Sequence, residues 1–315
     1  MRKYINMLEN YPIGMMGLSL GIVTLANVYA SQHILFFVNY AIIFEIIAII
    51  LMFLKFIIFP KSIWKDLKNP VAASFYGTID MGLFLVAVHY HEKFPRITSL
   101  LWIACIVLHC IFISIYSFFR IKNHKFSEVV PSWFVTYVGI ATAAMTYLKL
   151  GNIETAEILS YFATFCYLVL YPFMLYKIFF KKIDKCKITT VGIIGAPAAL
   201  VLGALTTVFE SINIYFLYFL IITLLFNLLI TYYFIIKLFF KKFTLGLAAF
   251  TFPLAVSTLV TFKVDLYLKH HILYSGEFFK VIGFIELIIS TVVIVYVIIM
   301  YLIFFYKSVI KRSLK

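Results

Sequence analysis

Three carboxylates, Glu45, Asp80 and Glu286, stand inside long apolar stretches, where a charged group is costly unless it meets protein or water. Asp80 lies midway along a stretch rich in small residues. It could bind a proton that travels with a transported anion. Alternatively it is structurally satisfied: neutral, paired with a cation, or turned away from any lumen. Glu45 and Glu286 lie on bulkier stretches, where protein interfaces are their expected surroundings. His33, His89, His91, His270 and His271 fall near the ends of stretches, and the pairs His89 with His91 and His270 with His271 could bind a metal. No cysteine or carboxylate cluster completes such a site, so interfacial histidines that can respond to acid are expected, with no metal and no cofactor. Cys105, Cys110, Cys166 and Cys186 have no metal-binding spacing and are expected as free thiols.

The elements that position these groups are set by composition. The 315 residues are 64% hydrophobic and 13% charged, with a mean hydropathy of +1.05, far more apolar surface than one soluble core can bury. Stretches near or above the ~20 residues needed to cross a bilayer run over 12–30, 34–54, 70–88, 99–119, 131–149, 158–178, 189–208, 214–234, 246–264 and 281–301. Ten transmembrane helices use nearly the whole chain, so 1–315 is expected to be a single transmembrane domain. Phosphate-binding glycine loops, paired aspartate-rich loops and protease constellations are absent, which argues against an enzyme.

Charge orients the helices. With a cytoplasmic amino terminus, 21 of the 27 basic residues fall on the cytoplasmic side, in the groups Arg2 and Lys3, Lys55 to Lys68, Arg120 to Lys125, Lys177 to Lys187, Lys237 to Lys242 and Lys307 to Lys315. Both termini are therefore expected in the cytoplasm, in an inner or plasma membrane. The net charge of +14 follows from this topology and gives no support to nucleic-acid binding. Val28, Tyr29 and Ala30 make a poor cleavage site, so no signal peptide is expected. Lys68 and Lys187 precede the third and seventh helices, where they and the amino-terminal helix dipoles could attract anions; they could equally be ordinary positive-inside residues.

Five prolines recur, Pro12, Pro70, Pro131, Pro197 and Pro253, at spacings of 58, 61, 66 and 56 residues. Each opens or interrupts a thin segment that a thick one follows: Gly, Ala, Ser and Thr take 41 of 96 positions in the odd segments and 14 of 105 in the even ones. Small residues let helices approach closely, and five thin helices inside five thick ones would leave a lumen on a quasi-fivefold axis. Pro12, Pro70 and Pro131 sit at first turns and are expected to start helices. Pro197 and Pro253 lie deeper and are expected to kink them. Candidate pore-lining positions are Gly17, Gly21, Ser74, Gly77, Gly139, Ala143, Ala199, Phe250 and Val256.

The run from Gly246 to Ala255 (GLAAFTFPLA), the opening from Tyr11 to Gly21 (YPIGMMGLSLG) and Asn69 to Phe75 (NPVAASF) resemble the bacterial tellurite-resistance and dicarboxylate transporter family. That family also includes plant slow anion channels and fungal malic acid permeases. The resemblance implies five helical hairpins, odd helices lining a central pore, and a homotrimer with one pore per protomer. It also implies a mid-membrane plug at Phe252, beside Pro253. Asp80 departs from the pattern, standing near where the family often has another proline. The expected function is an anion channel or transporter for small monovalent anions, C4-dicarboxylates such as malate, or both, in a lipid bilayer and gated by Phe252. The alternatives are a proton-coupled malate carrier using Asp80 and a non-transporting membrane scaffold or sensor.

Overall fold

The computed structural model describes residues 8–123, 128–181, 183–272 and 275–313; Arg2, Lys3, Lys125, Lys182 and Lys315 lie outside them. A backbone in lipid must satisfy its own hydrogen bonds, and every apolar stretch is accordingly helical. In chain order the α-helices are α1 (Gly14–Ser31), α2 (Phe36–Ile58), α3 (Pro60–Lys68), α4 (Pro70–Ser74), α5 (Gly77–Tyr90), α6 (Pro95–Asn123) and α7 (Trp133–Val138). There follow α8 (Ala141–Leu150), α9 (Ile153–Phe180), α10 (Ala196–Val208), α11 (Ile214–Phe239), α12 (Thr251–His271) and α13 (Phe278–Ser313). Tighter 3₁₀ turns over Ile188–Gly195 and Leu245–Phe250 lead directly into α10 and α12.

Among the described residues nine segments are long and apolar enough to cross a membrane. The remaining stretch, 131–149, divides around Gly139 and Ile140 into α7 and α8, each too short to span alone. Counted with it, ten segments form two concentric rings. The inner ring closes: α1 packs on α5, α5 on α8, α8 on α10, α10 on α12, and α12 on α1. Each outer helix lies in the groove between two consecutive inner segments, α2 between α1 and α5, α6 between α5 and α8, and so on to α13 between α12 and α1. Small residues permit the close inner contacts, while the outer helices turn side chains such as Ile43, Ile47, Val107, Ile222 and Ile288 outward.

Asparagines and prolines set the helix starts. Asn69 accepts hydrogen bonds from the amides of Val71 and Ala72 at 2.9 and 3.1 Å, with Pro70 at the first position of α4. Asn152 and Asn213 cap α9 and α11 in the same way. Pro197 and Pro253 stand within the first turn of α10 and α12, where each inner segment passes from 3₁₀ to α. The missing proline N–H falls where the ladder is already changing pitch, so its loss costs little there. Two further breaks, at Phe75–Tyr76 and Gly139–Ile140, occur without proline. Conversely, Pro172 lies inside α9 and does not end it.

Candidate functional site

All five inner segments meet at one level around a small cavity of about 20 Å³, room for about one water molecule. Gly17 of α1 lines it, with Phe75, Thr78 and Met81 of the third segment, Phe134 and Val135 of the fifth, Ile193, Ala196, Pro197 and Leu200 of the seventh, and Ala248, Ala249, Phe252 and Pro253 of the ninth. Its one hydroxyl, on Thr78, donates back to the Phe75 carbonyl at 2.6 Å and offers the lumen little polarity. The level is therefore an apolar constriction, and such a constriction blocks ions by excluding their water.

Phe252 is 7% exposed and stands at the joint between the 3₁₀ turn and α12. Its neighbours pin the backbone on both sides. Thr251 donates to the Gly17 carbonyl at 3.1 Å, tying α12 to α1, and Ser257 donates to the Gly195 carbonyl at 2.8 Å, tying it to the joint before α10. Gly21 is required at the first contact, because a Cβ there would stand 2.8 Å from the Phe252 amide nitrogen and from the Thr251 side chain. The ring thus lines the cavity from a backbone held on both sides.

Asp80 does not line the cavity. It is fully buried in the first turn of α5, with Oδ2 2.5 Å from Nδ1 of His109, a residue of α6. His109 Nε2 lies 2.9 Å from the Thr136 carbonyl, which can only accept, so Nε2 carries a proton. At 2.5 Å one further proton must lie between Nδ1 and Oδ2, whichever atom holds it. The pair is then net neutral and places no fixed negative charge beside the lumen. It also repairs the fifth segment, whose ladder is interrupted where the Gly139 amide reaches back to Phe134, by giving the Thr136 carbonyl a donor from another helix.

The profile of the voltage-dependent anion channel family, SLAC1, matches residues 10–302. The chain belongs to that family. It is the family to which the sequence motifs pointed, and membership makes this multi-pass membrane protein an anion channel or transporter, of a class that is not enzymatic. No curated protein matches the chain.

In this SLAC1-family protein the sequence-derived positions divide. Gly17, Pro197, Phe252 and Pro253 meet at the constriction. Of the nine candidate pore-lining residues the other eight do not line this cavity. Phe250, the last residue of the 3₁₀ turn before α12, is fully buried, edge-on to Phe239 at 5.6 Å between ring centres and pressed on Gly192. Gly77 and Gly139 instead make room for the His109 ring, Ala143 offers its carbonyl to the Trp102 indole at 3.2 Å, and Ser74 bonds back to Val71. Ala199 and Val256 are buried in packing. The reason is physical: small residues serve helix contact and lumen alike, and composition cannot separate the two.

Lys68 lies over the Trp64 ring and lends its backbone carbonyl to Arg120 at 2.8 Å, while Lys187 is 3.3 Å from Asp184. Neither lines the constriction. Thr261 donates to Glu286 at 3.1 Å, joining α12 to α13, and the Glu45 carboxyl occupies the space a side chain at Gly82 would need. His91 bonds Thr98 at 2.9 Å and His271 stacks on Tyr267. The four cysteines are free. Sequence reasoning passed over His109 and the lining aromatics Phe75 and Phe134; the signal for His109 was its position as the one histidine in an apolar stretch, 99–119, that holds no Asp, Glu, Lys or Arg.

Proposed function

We propose that the protein is a gated channel for small anions, with one pore along the axis of the inner ring and the Phe252 ring as its gate. The observation that carries this is Phe252 on a pinned backbone, at a level where all five inner segments close on an apolar cavity. Rotation of that ring about its side-chain bonds would widen the constriction without moving a helix. Asp80 is a positioning residue in this reading: it is sealed from the cavity and neutral as a pair with His109, which supports passive conduction over proton-coupled carriage. The chain acts as a single domain in a cytoplasmic membrane with both termini inside. It assembles as a homotrimer, each protomer conducting alone.

Ion-substitution electrophysiology on the wild type and Phe252→Ala tests the gate. Phe252→Ala should raise anion current at least about tenfold, equivalent to about 1.4 kcal/mol off the barrier. Unchanged current in a correctly inserted variant would refute gating by this ring. Malate should be tested beside chloride and nitrate, since the anions carried are part of the same measurement.

A further inference from the structure

Lys263 lies in α12, eleven residues beyond Phe252. At about 100° and 1.5 Å per residue, that returns its side chain to within about 20° of the same helix face, about 16 Å farther along the axis. The contacts of α12 turn this face away from α13 and toward the axis of the inner ring. Thr251 on one flank bonds α1, Ser257 on the other bonds the joint before α10, and Thr261 at the back bonds Glu286 of α13. Lys263 Nζ donates to the Gly203 carbonyl at 3.1 Å and, at close range, to the Thr207 hydroxyl of α10. Thr207 is two turns beyond Leu200, which lines the constriction, so it belongs to the lumen face of its own helix.

Two of the three ammonium N–H groups are thereby used, both on neutral acceptors. No carboxylate among the described residues pairs with Lys263; Asp265, two residues on, is 2.8 Å from Lys269 instead. A cation held between helices without a counter-charge favours an anion beside it. Access comes from the carboxyl-terminal end of the inner ring, where Lys263, Thr206, Thr207 and Leu259 keep partial exposure while Phe252 and Val256 are buried.

We infer that Lys263 and Thr207 form an anion-binding station in the lumen, between that mouth and the Phe252 constriction. The third ammonium N–H faces the anion, and the Thr207 hydroxyl, which donates to Gly203 at 2.5 Å, can rotate to join it. One cation with one hydroxyl matches a small monovalent anion such as chloride or nitrate. It leaves the second carboxylate of a C4-dicarboxylate unmet. The inference rests on the channel reading for its place in conduction, but binding itself can be measured apart.

The purified full-length protein should broaden the chloride NMR line, and nitrate should remove the broadening. Malate at equal concentration should not. Lys263→Met should weaken chloride binding at least about tenfold, about 1.4 kcal/mol, while Lys263→Arg keeps it. Wild-type binding in folded, monodisperse Lys263→Met, or malate competing as well as nitrate, overturns the station. If Lys263→Met does not elute as folded protein, Thr207→Val decides: weakened chloride binding supports the site and unchanged binding refutes it. Currents in the Phe252→Ala background separate the two readings. Conduction with binding indifferent to Lys263 refutes the station alone, whereas Lys263-dependent binding without conduction refutes the channel reading alone.

Discussion

The seventh and ninth inner segments are broken by prolines of their own, whereas the third and fifth are broken around a histidine that reaches in from the outer helix α6. At Pro197 and Pro253 a donor is missing and the chain changes from 3₁₀ to α pitch. At Gly77 and Gly139 the backbone is interrupted to admit the His109 ring, which then supplies a donor to the Thr136 carbonyl and holds Asp80. One pair of joints subtracts a hydrogen bond and the other adds one. At the first, the Phe252 ring lines the cavity beside its proline. The second clamps three segments together around one buried histidine.

That contrast can be broken at either end. The largest effect is expected in conduction: Phe252→Ala should open the pore, whereas Phe134→Ala, which removes a ring of the same cavity on the clamped side, should change current much less. Equal currents from the two would erase the distinction between joints. Next comes Asp80→Ala, which leaves His109 buried without its partner and should cost about 3–5 kcal/mol of stability, read as a fall in melting temperature in detergent. Asp80→Asn can still donate to Nδ1 and should keep most of that stability together with its anion current. Loss of current in Asp80→Asn would bring back a coupled carrier.

Smaller changes sharpen the comparison. Gly139→Ala drives a methyl into the Val135 backbone carbonyl, with Met81 Sδ at 2.8 Å and the His109 ring at 3.3 Å, an overpacking expected to cost at least about 1–3 kcal/mol. The same melting measurement on Ser257→Ala, which removes the tie between α12 and the joint before α10, should show about 0.5–1 kcal/mol. A larger loss in Ser257→Ala than in Gly139→Ala would reverse the assignment of the more tightly clamped side.

Much of this arrangement was legible in the chain. Hydropathy marked the ten segments, since a lipid-exposed backbone has no alternative to helix. Proline and the small-residue alternation marked the inner ring, because only thin helices can close at that radius. Phe252 was reachable through the motif around Pro253. The lumen face was harder to read. Gly17 lines the cavity and Gly21, one turn on, is a helix contact, yet the two are chemically identical and stand on one helix.

Sequence alone determined the medium, the number of spanning segments, which of them are thin and where two of the joints fall, because each of these depends on solvation and local backbone chemistry. Tertiary structure alone decided the partners. Asp80 and His109 are 29 residues apart, and Lys263 reaches Gly203 and Thr207 across some sixty. A single polar residue in an apolar helix must find a partner, but which helix offers it depends on how the rings close, and that is a property of packing and not of spacing.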